Sequence, residues 1–167
     1  MQLINVSKVY HNRHNDKIGI KNVNLNFNQE GMVFVLGPSG SGKTTLFNIL
    51  SGIDKEFDGT YKRDEYIEVI SQDMMLISDF TVLENLNLVS KNNKLIKDML
   101  KYFELDDFTN AKVKKLSSGQ RRRVQIIRSL LCKPDILLCD EPDSSLDFNL
   151  VLKTMAVLKN YSQNHLV

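Results

Sequence analysis

The chain has 167 residues, 42% hydrophobic and 25% charged, and its 22 basic and 20 acidic side chains leave a net charge of +2. These values fit one globular domain, and so small a charge argues against nucleic acid as a direct partner. The apolar runs Met32–Leu36 and Ile136–Cys139 are far shorter than the roughly 18 residues of a membrane-spanning helix, and no secretory signal follows Met1. Cys132 and Cys139 lie in apolar segments, which predicts buried thiols and a cytosolic protein.

The first third of the chain predicts short strands followed by a helix. Strands are expected at Gln2–Val6, at Val23–Phe27 and at Met32–Leu36, whose continuous apolar run suits a strand buried on both faces of a parallel sheet. A glycine-rich turn follows, and then a helical pattern from Lys43 through Leu50 that ends at Gly52.

The rest of the chain alternates helices with two further strands. In chain order, the predicted elements are a strand at Ile67–Ile70, a polar helical stretch over about 73–115 with a capping box at Thr81, a helix after Ser117, a buried strand at Ile136–Cys139, a helix from Phe148 to about Asn160 and the start of another strand at 165–167. This order predicts an α/β fold.

The turn before the Lys43 helix has the composition of a phosphate-binding loop. Residues 37–44 match the pattern G-x-x-x-x-G-K-[ST] between a predicted strand and a predicted helix, a context that disfavours an ordinary glycine-rich turn. Glycines allow backbone N–H groups to surround an anion, Lys43 supplies charge for the β- and γ-phosphates, and the Thr44 hydroxyl suits Mg²⁺. The candidate phosphate-binding residues are Gly37, Pro38, Ser39, Gly40, Ser41, Gly42, Lys43, Thr44 and Thr45.

Two adjacent carboxylates, Asp140 and Glu141, follow the strand Ile136–Cys139. Because ligands of open α/β sheets bind at the carboxyl ends of the strands, Asp140 is expected beside Lys43, where it would hold the metal. Glu141 is then placed to act as a general base toward the attacking water. Taken without the upstream loop, the pair would equally suit a solvated strand end.

Further stretches resemble the ATP-binding cassette (ABC) family in the order found there. Leu116-Ser117-Ser118-Gly119-Gln120 resembles its signature, and residues 144–147, Ser-Ser-Leu-Asp, resemble its D-loop. Gln72 resembles the Q-loop glutamine, and Tyr10 lies where the family places an aromatic that stacks on adenine. Considered alone, the signature-like stretch would also suit a helix cap at Ser118, and Tyr10 would suit simple packing. The basic cluster Arg121–Arg123 predicts solvated or paired side chains rather than a nucleic-acid contact.

The resemblance implies an ATPase that uses ATP and Mg²⁺ and works as a pair of domains. Glu141 and Gln72 would be catalytic, and Thr44, Gln72 and Asp140 would hold the metal. Two domains would pair head to tail, with Ser117, Gly119, Gln120 and Asp147 of one domain meeting the nucleotide of the other. Separate transmembrane permease subunits would contact the Q-loop and the neighbouring helical stretch. The ATPase itself would lie on the cytoplasmic face of the membrane.

The implied fold is that of a P-loop NTPase: a mostly parallel sheet flanked by helices, an N-terminal antiparallel β subdomain and a small helical insertion. We expect one ATPase domain over 1–167, with its catalytic core in 1–72 and 116–167 and a helical subdomain in 73–115. The run around Gly37–Thr45 and the segment 80–86 look most like the branch that serves lipoprotein release, macrolide export and antimicrobial-peptide export.

Three departures from the family pattern lead to alternative functions. Ser118 replaces a signature glycine, the interval from Lys43 to Gln72 is short, and Val167 precedes the family's switch histidine and final strands. We therefore expect a truncated cassette that binds Mg-ATP and hydrolyses it poorly, with a nucleotide-binding module as the alternative. A DNA-repair or chromosome-maintenance ATPase head is disfavoured because no coiled-coil heptads separate the two phosphate motifs.

Overall fold

The computed structural model describes residues 1–11, 15–71 and 75–167, and most of its helices and strands follow the order that the sequence predicts. The strand at Asp58–Lys62 was not predicted. The elements are β1 (Gln2–His11), β2 (Asp16–Asn26), α1 (Lys43–Ser51), β3 (Asp58–Lys62), β4 (Ile67–Ile70), α2 (Val82–Asn87), α3 (Asn93–Tyr102), α4 (Ser118–Leu131), β5 (Ile136–Cys139) and α5 (Phe148–Tyr161). Two 3₁₀ turns, at Asp106–Phe108 and Val113–Lys115, lie between α3 and α4.

An antiparallel sheet in the order β2-β1-β3 forms the N-terminal part of the fold. Leu3 and Val6 of β1 lie on the same side because an irregularity between them, with Asn5 at a φ of 50°, interrupts the strand's alternation. There they pack in a common core with Ile20 of β2 and with Ile49 and Leu50 of α1. The predicted antiparallel subdomain is therefore present, and its core supports the helix that follows the glycine-rich loop.

A second, parallel sheet pairs β4 with β5, with Ile67 opposite Ile136 and Ile70 opposite Cys139. Its carboxyl end is defined by the hydrogen bond from the Asp140 amide to the Ile70 carbonyl, at 2.8 Å. Because the strands run in the same direction, the residues that follow both of them emerge at the same edge.

The helical stretch between the two strands begins with the capping box predicted at Thr81, whose side chain accepts a hydrogen bond from the Glu84 amide. Helices α2 and α3 share one buried core with α4, β4, β5 and α5. Its members include Ile70, Val82, Leu86, Ile96, Leu100, Phe103, Val124, Ile127, Leu137 and Leu158. This shared core fixes α4 against the parallel sheet.

The predicted buried strand at Met32–Leu36 is wrong for most of its length. Val33 donates from its amide to the Val167 carbonyl at 2.8 Å, and the Val167 amide donates to Gly31 at 2.9 Å, so pairing is limited to the start of the run. Within the described part of the chain, no strand pairs with residues 34–36, and the Leu36 side chain is 87% exposed. An apolar run is buried as a strand only where neighbouring strands cover its edges. The strand predicted at 165–167 is reduced to Leu166, which forms parallel bridges to Gly31 and Ile136.

Both cysteines, Cys132 and Cys139, are free and partly buried. Burial raises the pKa of the Cys139 thiol to about 12, which keeps it protonated and agrees with the predicted burial of this thiol. Over the described ranges, none of the helices combines the length and the apolar character needed to span a bilayer.

Candidate functional site

A pocket of about 780 Å³ lies between the start of α1 and the end of β5. The glycine-rich loop and α1 contribute Gly40, Lys43 and Thr44, and the segment after β5 contributes Asp140 and Glu141. Of the other residues that the sequence predicts for nucleotide binding, Tyr10, Ser39, Gly42 and Thr45 also line this pocket. Groups distant in the sequence thus converge where a parallel sheet ends and a helix begins, which is the usual position of a ligand site in an α/β fold.

The start of α1 is built to face an anion. Gly42, the residue before the helix, has a φ of 93°, and a Cβ there would lie 2.3 Å from the Gly19 carbonyl oxygen, so only glycine fits. Gly42 supplies no side chain to cap the helix. The first N–H groups of a helix have no partner within it, so those of α1 are available to a phosphate, and the helix dipole adds partial positive charge.

Lys43 lies folded over its own loop. Its ammonium group donates hydrogen bonds to the carbonyl oxygens of Gly37 at 2.8 Å and Pro38 at 2.9 Å, and the Ser41 amide donates to Pro38 at 3.2 Å. Gly37, Pro38 and Ser41 therefore shape the loop and hold Lys43 without lining the pocket themselves. An arriving phosphate oxygen would compete for ammonium donors that are already directed along the loop.

Tyr10 stands at the edge of the pocket, between the antiparallel sheet and α1. Its hydroxyl donates to Thr45 Oγ1 at 3.3 Å and lies 3.5 Å from Asp54 Oδ2, and the Lys8 ammonium is 5.3 Å from its ring centroid. Burial raises the pKa of Asp54, but hydrogen bonds, chiefly from Lys8, outweigh burial, so that the net pKa lies below the usual value. The resulting Lys8–Asp54 pair, 3.0 Å apart, fixes the tyrosine hydroxyl.

Asp140 and Glu141 occupy a tight turn directly after β5. Glu141 has a φ of 48°, in the left-handed region that non-glycine residues seldom adopt, and its exposed side chain reaches the pocket. Strained backbone of this kind is common at functional sites. The turn is held from behind by Arg122, which donates to the carbonyl oxygens of Asp140, at 2.9 Å, and Glu141.

The oxygen donors of the pocket suit Mg²⁺ in the presence of phosphate. Thr44 offers a hydroxyl and Asp140 a carboxylate, and Mg²⁺ sites of this kind use one or two such groups together with phosphate oxygens and water. The described ranges contain no group of three or more His, Cys, Asp or Glu side chains able to hold a metal ion.

Ser117 and Gln120 lie outside this pocket, at the start of α4. Ser117 Oγ accepts a hydrogen bond from the Gln120 amide at 3.2 Å, and Gln120 Oε1 accepts one from the Ser117 amide at 2.8 Å, which makes a complete capping box. The cap residue is Ser117 and not Ser118, because only the Ser117 side chain reaches the third amide of the helix. The Ser117 hydroxyl keeps its own proton to donate outward.

Gly119 contacts the segment that precedes α5. A Cβ on Gly119 would lie 2.6 Å from the carbonyl oxygen of Ser145, which itself has a φ of 66°. Asp147 caps α5 by accepting a hydrogen bond from the Leu150 amide at 3.0 Å, so this structure gives its carboxylate a local structural role. Gln72, the remaining predicted site residue, lies outside the described residues.

Sequence reasoning missed one residue of the site. Arg121 and Arg123 donate to the carbonyl oxygens of Leu116 and Phe103, both at 2.6 Å, so they are paired. Arg122, in contrast, is 1% exposed and directed at the turn of Asp140 and Glu141. Arg122, Gln125 and Ser129 form a buried polar stripe at helical spacing, a pattern that normally indicates a solvated helix face.

A family model, a curated relative and a solved structure all relate this chain to ABC transporter ATP-binding proteins. The family model described as ABC transporter matches residues 20–144. The ABC transporter ATP-binding protein MJ0796 of Methanocaldococcus jannaschii is 34% identical over 98% of this chain and 82% of its own length. A solved dimer of MJ0796, bound to ADP and Pi after hydrolysis, superposes with a TM-score of 0.80 at 32% identity, covering 99% of this chain and 85% of that one.

Two other relatives are components of named transport systems. The spermidine/putrescine import ATP-binding protein PotA of Spiroplasma citri is 34% identical over 95% of this chain, which spans only 50% of that relative. The lipoprotein-releasing system ATP-binding protein LolD of Ehrlichia ruminantium strain Gardel is 32% identical over 86% of this chain and 75% of its own length. The range of the family match, residues 20–144, includes the phosphate loop, the signature-like stretch and β5.

Proposed function

Because the chain belongs to the ABC transporter family, we propose that it is an ATP-binding subunit that hydrolyses Mg-ATP to drive transport through separate membrane subunits. The observation that carries this proposal is the convergence of Lys43, Thr44, Asp140 and Glu141 on one pocket at the start of α1. A helix N-terminus, an ammonium group and paired carboxylates form the set that phosphoryl transfer requires.

The triphosphate would lie along the loop of residues 37–45. The amides at the start of α1 donate to its oxygens, and Lys43 exchanges its hydrogen bonds to Gly37 and Pro38 for contacts with the β- and γ-phosphates. Thr44 and Asp140 would hold Mg²⁺, with Gln72 as a further ligand, and the ion when bound neutralises charge on the phosphate oxygens. Tyr10 would stack its ring on the adenine.

Glu141 would act as the general base. Its carboxylate lies one residue beyond the metal-binding position, on a turn whose backbone is fixed, so it can accept a proton from a water aligned with the γ-phosphate. Gln72 would help to orient that water. Both roles rest on the residue types and their placement in the sequence.

Two copies would pair head to tail, each completing the site of the other. Ser117, Gly119 and Gln120 do not line the pocket of their own chain, yet they present a hydroxyl, an amide and a helix N-terminus to the surroundings. These groups suit the γ-phosphate of a nucleotide bound to a second copy. The solved MJ0796 cassette is a dimer with ADP and Pi, which supports the arrangement. Asp147 would lie at the same interface.

A role in transport implies membrane subunits as partners and a position at the membrane. We propose that 1–72 and 116–167 form the catalytic core, and that the helical subdomain 73–115 contacts transmembrane permease subunits from the cytoplasmic face of the membrane. LolD among the relatives agrees with the predicted branch, whereas PotA belongs to an import system. Transport is the function that these two relatives have in common.

Titration of Mg-ATP into wild type and two lysine variants tests the proposal. Lys43→Ala is expected to weaken binding at least about tenfold, because it removes the ammonium group from the phosphates. Lys159→Ala, on the last turn of α5, is the matched control and should bind as wild type does. Glu141→Gln should retain binding and lose hydrolysis. Equal affinity of Lys43→Ala and wild type would contradict the proposed site, and turnover unaffected by Glu141→Gln would contradict the enzymatic role.

A further inference from the structure

Arg122 has the most fully buried charged side chain among the described residues, yet no step of the proposed function uses it. It lies in the second turn of α4 and is 1% exposed. Burial lowers the pKa of its guanidinium group, although the nearby acidic groups act in the opposite direction. A charge withdrawn from water in this way is tolerated only when its donors find good acceptors.

One nitrogen of Arg122 binds the turn that carries the two carboxylates. Nη2 donates to the carbonyl oxygens of Asp140, at 2.9 Å, and Glu141, and also to Ser144 Oγ at 3.1 Å. Two consecutive peptide groups are therefore held by one planar donor. Glu141 has a φ of 48°, in the small left-handed region of allowed backbone conformations. Because little backbone rotation is possible within that region, holding these two peptide groups also sets the direction in which the Glu141 side chain leaves the backbone.

The other terminal nitrogen binds the end of the neighbouring strand. Nη1 donates to the Ser71 carbonyl oxygen at 2.5 Å and to Gln125 Oε1 at 3.0 Å, and Gln125 Nε2 donates to the same Ser71 oxygen at 3.2 Å. Ser71 directly follows β4, which pairs with β5. Arg122 thus joins α4 to the segments that follow both strands of the parallel sheet.

We infer that Arg122 is a positioning residue for ATP hydrolysis: its guanidinium holds the turn after β5 so that the Glu141 carboxylate points at the water beside the γ-phosphate. This inference rests on the proposed function, because Arg122 acts through Glu141. Arginine is needed for its planar fork, because the N–H groups of Nη1 and Nη2 together serve five acceptors on three segments. Lysine offers three donors at a single point.

Steady-state hydrolysis by Arg122→Lys and Arg122→Gln tests the inference. We expect kcat to fall about 10-fold to 100-fold, since small misplacements of a reacting group have effects of this size. KM and the Kd for Mg-ATP should stay within about threefold of wild type, since the phosphate loop is untouched. Arg122→Lys, which keeps the charge, should retain more activity than Arg122→Gln. The control is Arg128→Lys, which changes a guanidinium on the same helix that donates to Met75.

A double variant separates positioning from general stabilisation. If Arg122 acts through Glu141, Arg122→Lys should lower the residual kcat of Glu141→Gln by less than twofold, because the group that it positions is already gone. A residue that only stabilised the fold would lower kcat by the same factor in both backgrounds.

Hydrogen exchange supplies a readout that needs no turnover. The Ser144 amide donates to the Glu141 carbonyl, and the Leu146 amide to Asp143, so both report on the turn. We expect their exchange to speed up at least about tenfold in Arg122→Lys and to stay unchanged in Arg128→Lys. Folded Arg122 variants with wild-type kcat and wild-type exchange would overturn the inference. Failure of the proposed function would look different, because wild type would then bind Mg-ATP no better than Lys43→Ala.

Discussion

A Cβ atom on Gly119 would lie 2.6 Å from the carbonyl oxygen of Ser145, so the start of α4 touches the segment before α5 only because residue 119 has no side chain. Alanine would otherwise favour the helix by about 0.5–1 kcal/mol. We expect Gly119→Ala to destabilise the protein by about 1–3 kcal/mol, the usual cost of overpacking. Chemical denaturation measures this, with the exposed Ser118→Ala as the control that should change stability by less than about 0.5 kcal/mol. A stabilised Gly119→Ala would contradict the contact.

The two capping boxes, at Ser117 and Thr81, allow a matched comparison. Each serine or threonine accepts a hydrogen bond from the third amide of its helix, so Ser117→Ala and Thr81→Ala should each cost about 1 kcal/mol. Only Ser117→Ala should weaken association driven by Mg-ATP, because Thr81 caps α2 and is not among the residues proposed to meet the nucleotide of a second copy. Denaturation and analytical ultracentrifugation of both variants test this, and equal effects on association would argue against a role for the Ser117 hydroxyl.

Tyr10 should contribute through its ring more than through its hydroxyl. Tyr10→Phe removes the contacts with Thr45 and Asp54 but keeps the aromatic face, so ATP affinity should stay within about threefold of wild type. Tyr10→Ala should weaken it about tenfold, as expected for loss of one stacking contact. Inorganic tripolyphosphate, titrated in parallel, should bind both variants as it binds wild type. A loss of tripolyphosphate binding in Tyr10→Ala would show that the tyrosine supports the loop and not the base.

Glu84 gives the stability of the protein a defined pH dependence. Hydrogen bonds from the Thr81 amide and then the Thr81 hydroxyl lower the pKa of the Glu84 carboxyl below 4.5. Its contribution is therefore fully present above about pH 4.5 and is lost as the pH falls through the lower folded-state pKa. The difference in Tm between wild type and Glu84→Gln should be constant from neutral pH down to about pH 5 and should shrink in more acid solution. A difference of the same size at pH 3 and pH 7 would contradict this assignment.

Most helices and strands could be predicted because each has a local cause, whereas β3 was not predicted. Thr81 caps α2, Gly52 ends α1 with a φ of 78°, and the Ile136–Cys139 run is buried as β5. The apolar run at residues 32–36 has the same pattern as β5, yet it is largely exposed. Burial of a strand depends on neighbours that come from elsewhere in the chain, and a local pattern carries no information about them.

From the sequence, a candidate site can be predicted where a loop suits an anion, but not where a buried charge supports a turn. The glycine-rich loop stands out because glycines and a lysine occur together at fixed spacing before a helix. Arg122 was missed because an arginine on a helix is usually solvated, and its acceptors at Ser71, Asp140 and Glu141 lie far along the sequence.

Crosslinking between protomers tests most directly whether nucleotide joins the loop of one copy to the signature stretch of another. Ser41→Cys and Ser118→Cys both alter exposed positions, and burial raises the pKa of the native Cys132 and Cys139 thiols, so a short bis-maleimide should react mainly at the introduced sites. In a Glu141→Gln background, we expect a covalent dimer of the double-cysteine chain with Mg-ATP and none without nucleotide or with Lys43→Ala. Crosslinking independent of ATP, or none while ATP is bound, would contradict it.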